Sequence, residues 1–314
     1  MLKQTCDMFF KSLRKKNTKR AYLGAFNEFY NFLGKTYRGK SYENLALATV
    51  RDAYNYYDFI SSKRGITNRN DARDTLAASA TLVLKIKALT RLYDALMDAG
   101  DVNRNIFRNN FIVLPQKDER MKRKTEIVPI STIKKLLSLR AKDLKEQQAI
   151  NIAAIIYAGG LRRSEAIGLE MRDVKIDGKT LYLELRVTKS GRPQIQHLPM
   201  WAAPFVTKQV TQRSLEGASN NDKFFVAYGS KGKLRDTLCD YTLYRHVIKL
   251  LKSLGVYNRT PHSLRKSMIN GLVEKEVHIE KIRTAARHNS ISTTQKYFAD
   301  VDVMCRKTAD LVDI

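Results

Sequence analysis

Apolar residues return at helical spacing through the first third of the chain. Tyr22, Phe26, Phe29 and Leu33 mark one helix face, and Val50, Tyr54 and Tyr57 mark a second. Leu82, Ile86, Leu89, Tyr93 and Leu96 mark a third, and Gly34, Gly65 and Gly100 fall near the expected helix ends. Aromatic stripes at this period read as core, not as platforms for stacked bases. The repeat then stops. From Leu114 to Thr125 the chain is polar, basic and proline-marked, which predicts a linker between two domains. Such a cationic linker could itself lie along a polyanion.

Beyond it the helical period resumes, with Ser131 as the expected N-cap of a helix over 132–140. A buried helix is predicted over 147–158, stopped by Gly159-Gly160. The period then changes to two. An Asp177-Gly178 turn precedes an alternating run over 181–187, a turn over 188–193, and a returning strand over 194–198. Helices follow over 241–254, 261–277, 278–287 and 292–298. The expected fold is mainly α with a small antiparallel β-sheet in the second domain, an α+β arrangement. The division is 1–112 for a helical first domain, 113–126 for the basic linker and 127–314 for the second domain with its tail.

Charge changes the picture most. The 314 residues hold 57 Lys and Arg against 31 Asp and Glu, a net of +26. Residues 1–125 carry 25 basic and 12 acidic side chains, a net of +13, so the excess is spread over both halves. An excess of this size self-repels and points to a polyanionic partner, nucleic acid above all. A ribosomal or merely basic soluble protein would share it, so the motifs must decide. Cys6, Cys239 and Cys305 offer neither a disulfide framework nor a CxxC pair. The longest apolar run, 149–161, is shorter than the roughly 20 residues a membrane span needs. No secretory signal opens the chain, and the expectation is a soluble, cytoplasmic protein without a membrane partner.

Candidate chemistry is scattered, and no residue is decisive alone. Thr260-Pro261 is a helix start, with His262 and Arg265 on one face of its first turn. A helix N-terminus with an arginine suits a phosphate. Arg162 follows the Gly159-Gly160 break, where a loop could aim it into a cleft, and Glu165 could hold it there. Lys189 occupies the hairpin turn. His288 ends a helix, and Ser292-Thr-Thr-Gln295 has the form of a capping box opening a short helix that carries Tyr297. Lys15, Lys16, Lys19, Arg20, Lys85, Lys87, Lys122, Arg123 and Lys124 are candidate phosphate contacts, each of a kind more often found as ordinary surface charge.

Taken together the residues are distinctive. Gly160-Leu-Arg-Arg-Ser-Glu165, Lys189 in a hairpin turn, His262-Ser-Leu-Arg265, and His288 followed by Ile291-Ser-Thr-Thr294 and Tyr297 occur in one order. This set resembles the tyrosine recombinase (phage integrase) family, whose catalytic domain is shared with type IB topoisomerases. The resemblance covers roughly 127–302, and more weakly the helical first third resembles the family's core-binding, SAM-like DNA-binding domain. Two positions depart from the common pattern. Arg287 stands where many members have glycine, and Asn105-Ile106 where Asn-Pro is common.

The resemblance implies a two-domain DNA clamp and a reaction. Arg162, Lys189, His262, Arg265, His288 and Tyr297 would be the catalytic set, with Glu165 supporting Arg162. Arg162 and Arg265 suit the charge that builds on a phosphate's non-bridging oxygens, and His288 adds a hydrogen bond. Tyr297 would attack phosphorus, His262 serve as acid/base partner, and Lys189 protonate the departing 5′ oxygen. Guanidiniums supply the charge a metal would otherwise bring, and no Walker motif is present, so no cofactor and no metal are expected. The implied partners are double-stranded DNA, a homotetramer on two duplexes, and accessory directionality factors. A topoisomerase or hairpin resolvase using the same residues, and a non-catalytic DNA-binding protein of the same fold, stay open as alternatives.

Overall fold

A computed structural model of the chain describes residues 1–62, 74–114, 126–186, 193–229, 232 and 234–300. Gly65, Lys122, Arg123, Lys124, Lys189 and the tail from Val301 lie outside the described residues. The chain divides into two compact units, Met1–Arg123 and Lys124–Ile314. Among the described residues no helix is long and apolar enough to cross a membrane.

The first unit is helical: α1 (Leu2–Ser12), α2 (Lys16–Thr36), α3 (Glu43–Leu47), α4 (Val50–Ser62) and α5 (Asp74–Asp98). Its core is aromatic. Phe29 is fully buried and meets Tyr56, Phe107 and Tyr93 edge-on at 4.9, 5.1 and 6.3 Å. The stripes predicted on α2 and α5 are the buried faces, since Tyr22, Phe26, Phe29, Leu33 and Leu82 through Leu96 at that spacing are all buried. The stripe expected on α4 is buried only in part, with Val50 and Tyr57 packed half-buried against the core. Tyr54 is 46% exposed, and the inward face is Ala53, Tyr56 and Ile60. The reason lies at the start of the helix. Buried Asp52 accepts bonds from the Thr49 N–H and hydroxyl, both at 2.8 Å, and from the Tyr37 hydroxyl at 2.9 Å. This capping box fixes the rotation of α4 through polar contacts that an apolar count overlooks.

The second unit opens with α6 (Ile130–Leu137), α7 (Leu144–Gly159) and α8 (Arg163–Gly168). Helix α6 begins at Ile130 after Pro129, so Ser131 lies inside it and is not the cap expected from sequence. Helix α7 starts at Asp143, whose carboxylate accepts the Glu146 N–H at 2.8 Å. It is apolar all round because it is the central helix, with Ile150, Ile152, Ala153, Ala154, Ile155 and Ile156 buried.

Strands β1 (Val174–Asp177), β2 (Thr180–Leu185) and β3 (Gln194–Leu198) form an antiparallel sheet in the order β1-β2-β3. Leu181, Leu183 and Leu185 of β2 are buried at alternate positions, as the period of two required. Gly178 takes the left-handed turn between β1 and β2 with φ +50°. Helix α9 (Ala203–Leu215) and a two-stranded pair, β4 (Val226–Tyr228) and β5 (Leu234–Thr237), follow; sequence patterning had not indicated them. Gln148 of α7 acts as a strand partner for β4, donating to the Val226 carbonyl at 2.7 Å and accepting its N–H at 3.0 Å. The unit continues with α10 (Asp240–Ser253), α11 (Pro261–Glu274), α12 (Ile279–Ala286) and α13 (Ile291–Asp300). Helix α10 packs on α7, α11 packs on α7 and α12, and α13 packs on α11 and α12. The ends of these helices build the site.

Candidate active site

Two helices end facing the same buried arginines. Helix α7 stops at Gly160, which is left-handed with φ +55°. The positive φ favours glycine, and a Cβ there would sit 2.0 Å from Met268 Cε, so the methionine would also have to move. Helix α12 ends likewise in the left-handed region, at Arg287 with φ +54°. The last carbonyls of a helix have no partner within it and carry partial negative charge. Guanidiniums answer that need here. Arg265, 2% exposed, donates one Nη to the Gly160 carbonyl and the other to the Ala286 carbonyl. One side chain thus ties the ends of α7 and α12 to α11.

Arg162 precedes α8 and forms the second cationic arm. Its Nη1 donates to Glu165 Oε1 at 2.6 Å, its Nη2 to the Arg287 carbonyl at 2.9 Å, and its own backbone N–H to Glu165 Oε2 at 2.8 Å. Glu165 has the supporting place expected from sequence. Burial of its carboxylate would raise its pKa, but the Arg287 charge and the bonds and charge of Arg162 outweigh that and hold it below the ordinary glutamate value. The carboxylate is therefore ionised at neutral pH. Three guanidiniums surround this one described carboxylate, leaving the centre cationic. Burial, then Arg162 and Arg287, lower the Arg265 pKa to about 10, which leaves it protonated at neutral pH.

The histidines differ in setting. His288, 7% exposed, has Nδ1 within 2.9 Å of the Thr294 hydroxyl, which leaves Nε2 as the ring nitrogen available to a substrate. Desolvation, then the charges of Arg265, Arg162, Arg287 and His262, push its pKa down to about 4. It is neutral at pH 7. His262, on the first turn of α11, has an exposed side chain. Partial desolvation and the charges of Arg265, Arg162, Lys266 and Arg163 lower its pKa too, and solvent screens the charge contribution. The helix start beneath it was foreseen: the Thr260 N–H bonds the Ser263 hydroxyl at 3.0 Å, with Pro261 in the first position.

Tyr297 lies on α13, its half-buried ring stacked on His288 with centroids 5.8 Å apart. The Lys266 Nζ stands 5.9 Å from the centroid of the tyrosine ring, on its face. The ring packs beside Ile269, Val273, Ile282 and Ala286, so α11 and α12 set its position. The cap differs from expectation. Helix α13 begins at Ile291, and the Ser290 hydroxyl accepts the Ser292 N–H at 3.2 Å, so Ser290 caps the helix and Ser292 does not.

The second unit therefore brings together Arg162, Glu165, His262, Arg265, His288 and Tyr297, while Lys189 lies outside the described residues. Sequence reading did not foresee the parts played by Lys266, Thr294 and Arg287. Thr294 sat within the quoted motif and Lys266 beside Arg265, but only folding shows what they touch. In the first unit Lys15, Lys16, Arg20 and Lys87 are exposed and Lys19 partly so. Lys85 is paired with Glu28 at 2.5 Å, so part of its charge is already answered within the unit. Among the described residues no group of three or more His, Cys, Asp or Glu is placed to hold a metal ion.

The mainly helical architecture, its three-stranded antiparallel sheet and its arginine-lined centre define a tyrosine recombinase-type fold. The sequence profile of the Phage integrase family matches residues 128–302, more than half of the chain, and the chain belongs to that family. It is 25% identical over 216 residues to the tyrosine recombinase XerC of Pelobacter propionicus, covering 68% of this chain and 66% of that protein. It is 26% identical over 282 residues to the tyrosine recombinase XerD of Rickettsia conorii, covering 81% and 88%. The chain spans about half the length of other curated relatives, such as the tyrosine recombinases XerA of Pyrococcus furiosus and Thermococcus kodakarensis. The fold is also that of the Tn1549 transposon integrase in complex with transposon right end DNA. That likeness has a TM-score of 0.67 at 16% identity and covers 99% of each chain.

Proposed function

We propose that the chain is a site-specific DNA recombinase that cuts and rejoins strands through a 3′-phosphotyrosyl link at Tyr297. The observation that carries this reading is the meeting of Arg162, Arg265 and His288 at one cationic centre, with the Tyr297 ring stacked on His288.

Each group has a chemical task. The Tyr297 oxygen bonds to phosphorus as the bond from phosphorus to the 5′ oxygen breaks. The tyrosine proton passes to a base, for which His262, exposed and lowered in pKa, is suited. Lys189 gives a proton to the 5′ oxygen as it leaves. Arg162 and Arg265 stabilise the charge on the non-bridging oxygens in fixed positions, because helix-end carbonyls and Glu165 already hold them. Neutral His288 adds one hydrogen bond from Nε2. The phosphotyrosyl bond conserves the energy of the broken diester, so a 5′ hydroxyl from another end can reseal it without fuel.

The surrounding roles follow. Residues 1–112 form a DNA-binding domain, 113–126 a cationic linker and 127–314 the catalytic domain. Double-stranded DNA is the substrate, and exchange between two duplexes calls for four protomers. The test is a nicked duplex from the protein's genetic neighbourhood, incubated in EDTA and run on a denaturing gel. A covalent band is expected from the wild type and none from Tyr297→Phe at equal DNA affinity. A band persisting in Tyr297→Phe would place the nucleophile elsewhere. Joining of two different duplexes separates a recombinase from a topoisomerase, which would relax one duplex only.

A further inference from the structure

Arg287 is unusual on local grounds. It closes α12 with φ +54° and ψ +47°, a conformation that glycine adopts without strain and arginine seldom does. Its side chain is 4% exposed, and its Nε is buried without a hydrogen-bond partner. A glycine would cap the helix with less strain, so helix capping alone does not account for the residue.

Its contacts do. Nη2 donates to Glu165 Oε2 at 2.9 Å and to the Gly160 carbonyl at 2.8 Å. Nη1 donates to the Gly159 carbonyl at 3.1 Å and to Gln196 Oε1. The backbone carbonyl of the same residue accepts from Arg162 Nη2 at 2.9 Å. Arg162 is thus held twice by one residue: directly through that carbonyl, and through Glu165, whose other oxygen takes Arg162 Nη1 at 2.6 Å. Gln196 belongs to β3, the strand that comes after Lys189 in the sequence.

We propose that Arg287 is a positioning residue for strand cleavage: its guanidinium fixes the plane of Glu165, and through it Arg162, and anchors the strand that follows Lys189. The inference rests on Arg162 acting on the scissile phosphate. A planar donor with several N–H groups satisfies carboxylate, carbonyls and amide at once, which an ammonium cannot do. The His288 backbone follows directly from the left-handed turn, so the second histidine and the first arginine share one anchor.

The test measures single-turnover adduct formation on a nicked duplex, and DNA affinity, between about pH 5 and 8. Arg287→Gly keeps the left-handed turn without strain and removes the whole side chain, guanidinium included, while the backbone carbonyl that accepts from Arg162 stays. It is expected to slow adduct formation about 10–100-fold with affinity unchanged. The acid limb of its rate profile should also shift upward. Glu165 faces Arg162, Arg265 and Arg287; losing one of these cations raises its pKa, so protonation begins at higher pH. Arg287 is also among the charges that lower the His288 pKa, so His288 protonation moves the same way, and the Glu165→Gln background isolates the share that belongs to the carboxylate. Arg287→Lys should restore the acid limb but only part of the rate. In a Glu165→Gln background Arg287→Gly should cost less than it does alone, since the share that runs through Glu165 to Arg162 is already lost and only the anchor on Gln196 remains to be removed.

Wild-type rate and an unshifted limb in Arg287→Gly would overturn the proposal, as would penalties of the two substitutions that simply multiply. Should Arg287→Gly not melt cooperatively, Arg287→Lys decides: a reduced rate at equal affinity supports the role, and a wild-type rate removes it. A wild type that forms no adduct would instead bring down the strand-cleavage reading on which the inference stands.

Discussion

The two units bury different things. The first buries mainly rings: Phe29, Tyr56, Tyr93 and Phe107 interlock, and Tyr93 donates to the Leu45 carbonyl at 2.9 Å. Its Asp52 carboxylate, which caps α4, is buried with no guanidinium against it among the described residues. The second surrounds an aliphatic α7 and then, at the end of that helix, buries charge: Arg265 and Arg287 with Glu165. Ring packing is dominated by dispersion and apolar burial, so it sets stability. Buried guanidiniums cost desolvation that apolar packing would avoid. The second unit offsets that cost with helix-end carbonyls and one carboxylate, and what remains is a fixed cationic centre. Stability and chemistry are therefore separable in this chain, and substitutions can pull them apart.

Arg265→Lys, which keeps a cation against the helix-end carbonyls, should show the largest separation. Adduct formation should fall on the order of 10²–10³-fold with DNA affinity largely kept, as measured by trapping on a nicked duplex; near-normal rates would remove Arg265 from the site. Phe29→Ala should do the reverse, lowering unfolding free energy by roughly 3–5 kcal/mol in denaturant titration. A loss under 1 kcal/mol would mean the aromatic core is not the main support of its unit.

The pH dependence of stability sharpens the contrast further. His288 is neutral when folded, with a pKa near 4 against an ordinary value of 6.5. On acidification the unfolded chain takes up a proton first, so stability present above about pH 6.5 should be lost progressively down to about pH 4. The contribution is on the order of 3 kcal/mol. Replacing His288 with Asn should flatten that slope in melts recorded across the range; an unchanged slope would assign it to other groups. The smallest effect belongs to Thr49→Ala, which removes the cap of α4 and should cost about 1 kcal/mol in the same titration.

What was legible from sequence follows from how locally each feature is encoded. The stripes of α2 and α5 and the alternation of β2 are written in neighbouring residues, and they were found. The face of α4 was misplaced because a polar capping box, centred on Asp52, sets its rotation. Helix α9 and the pair β4–β5 escaped because their partners are distant: Gln148 pairs with Val226, and Gln209 of α9 donates to the Phe224 carbonyl at 2.8 Å. The ordered motif singled out the arginines, histidines and tyrosine that the second unit brings together as a candidate site. Arg287 registered only as a departure from a common glycine, because its partners Glu165 and Gln196 lie far off in sequence and meet it only in the folded chain.

Mapping the adduct tests most directly whether the Tyr297 oxygen is the nucleophile that bonds to phosphorus. The trapped complex would be digested with nuclease and protease, and the peptide retaining a nucleotide 3′-phosphate sequenced by mass spectrometry. The modification is expected on the Tyr297 oxygen alone. A nucleotide on any other residue, or on none, would contradict that assignment.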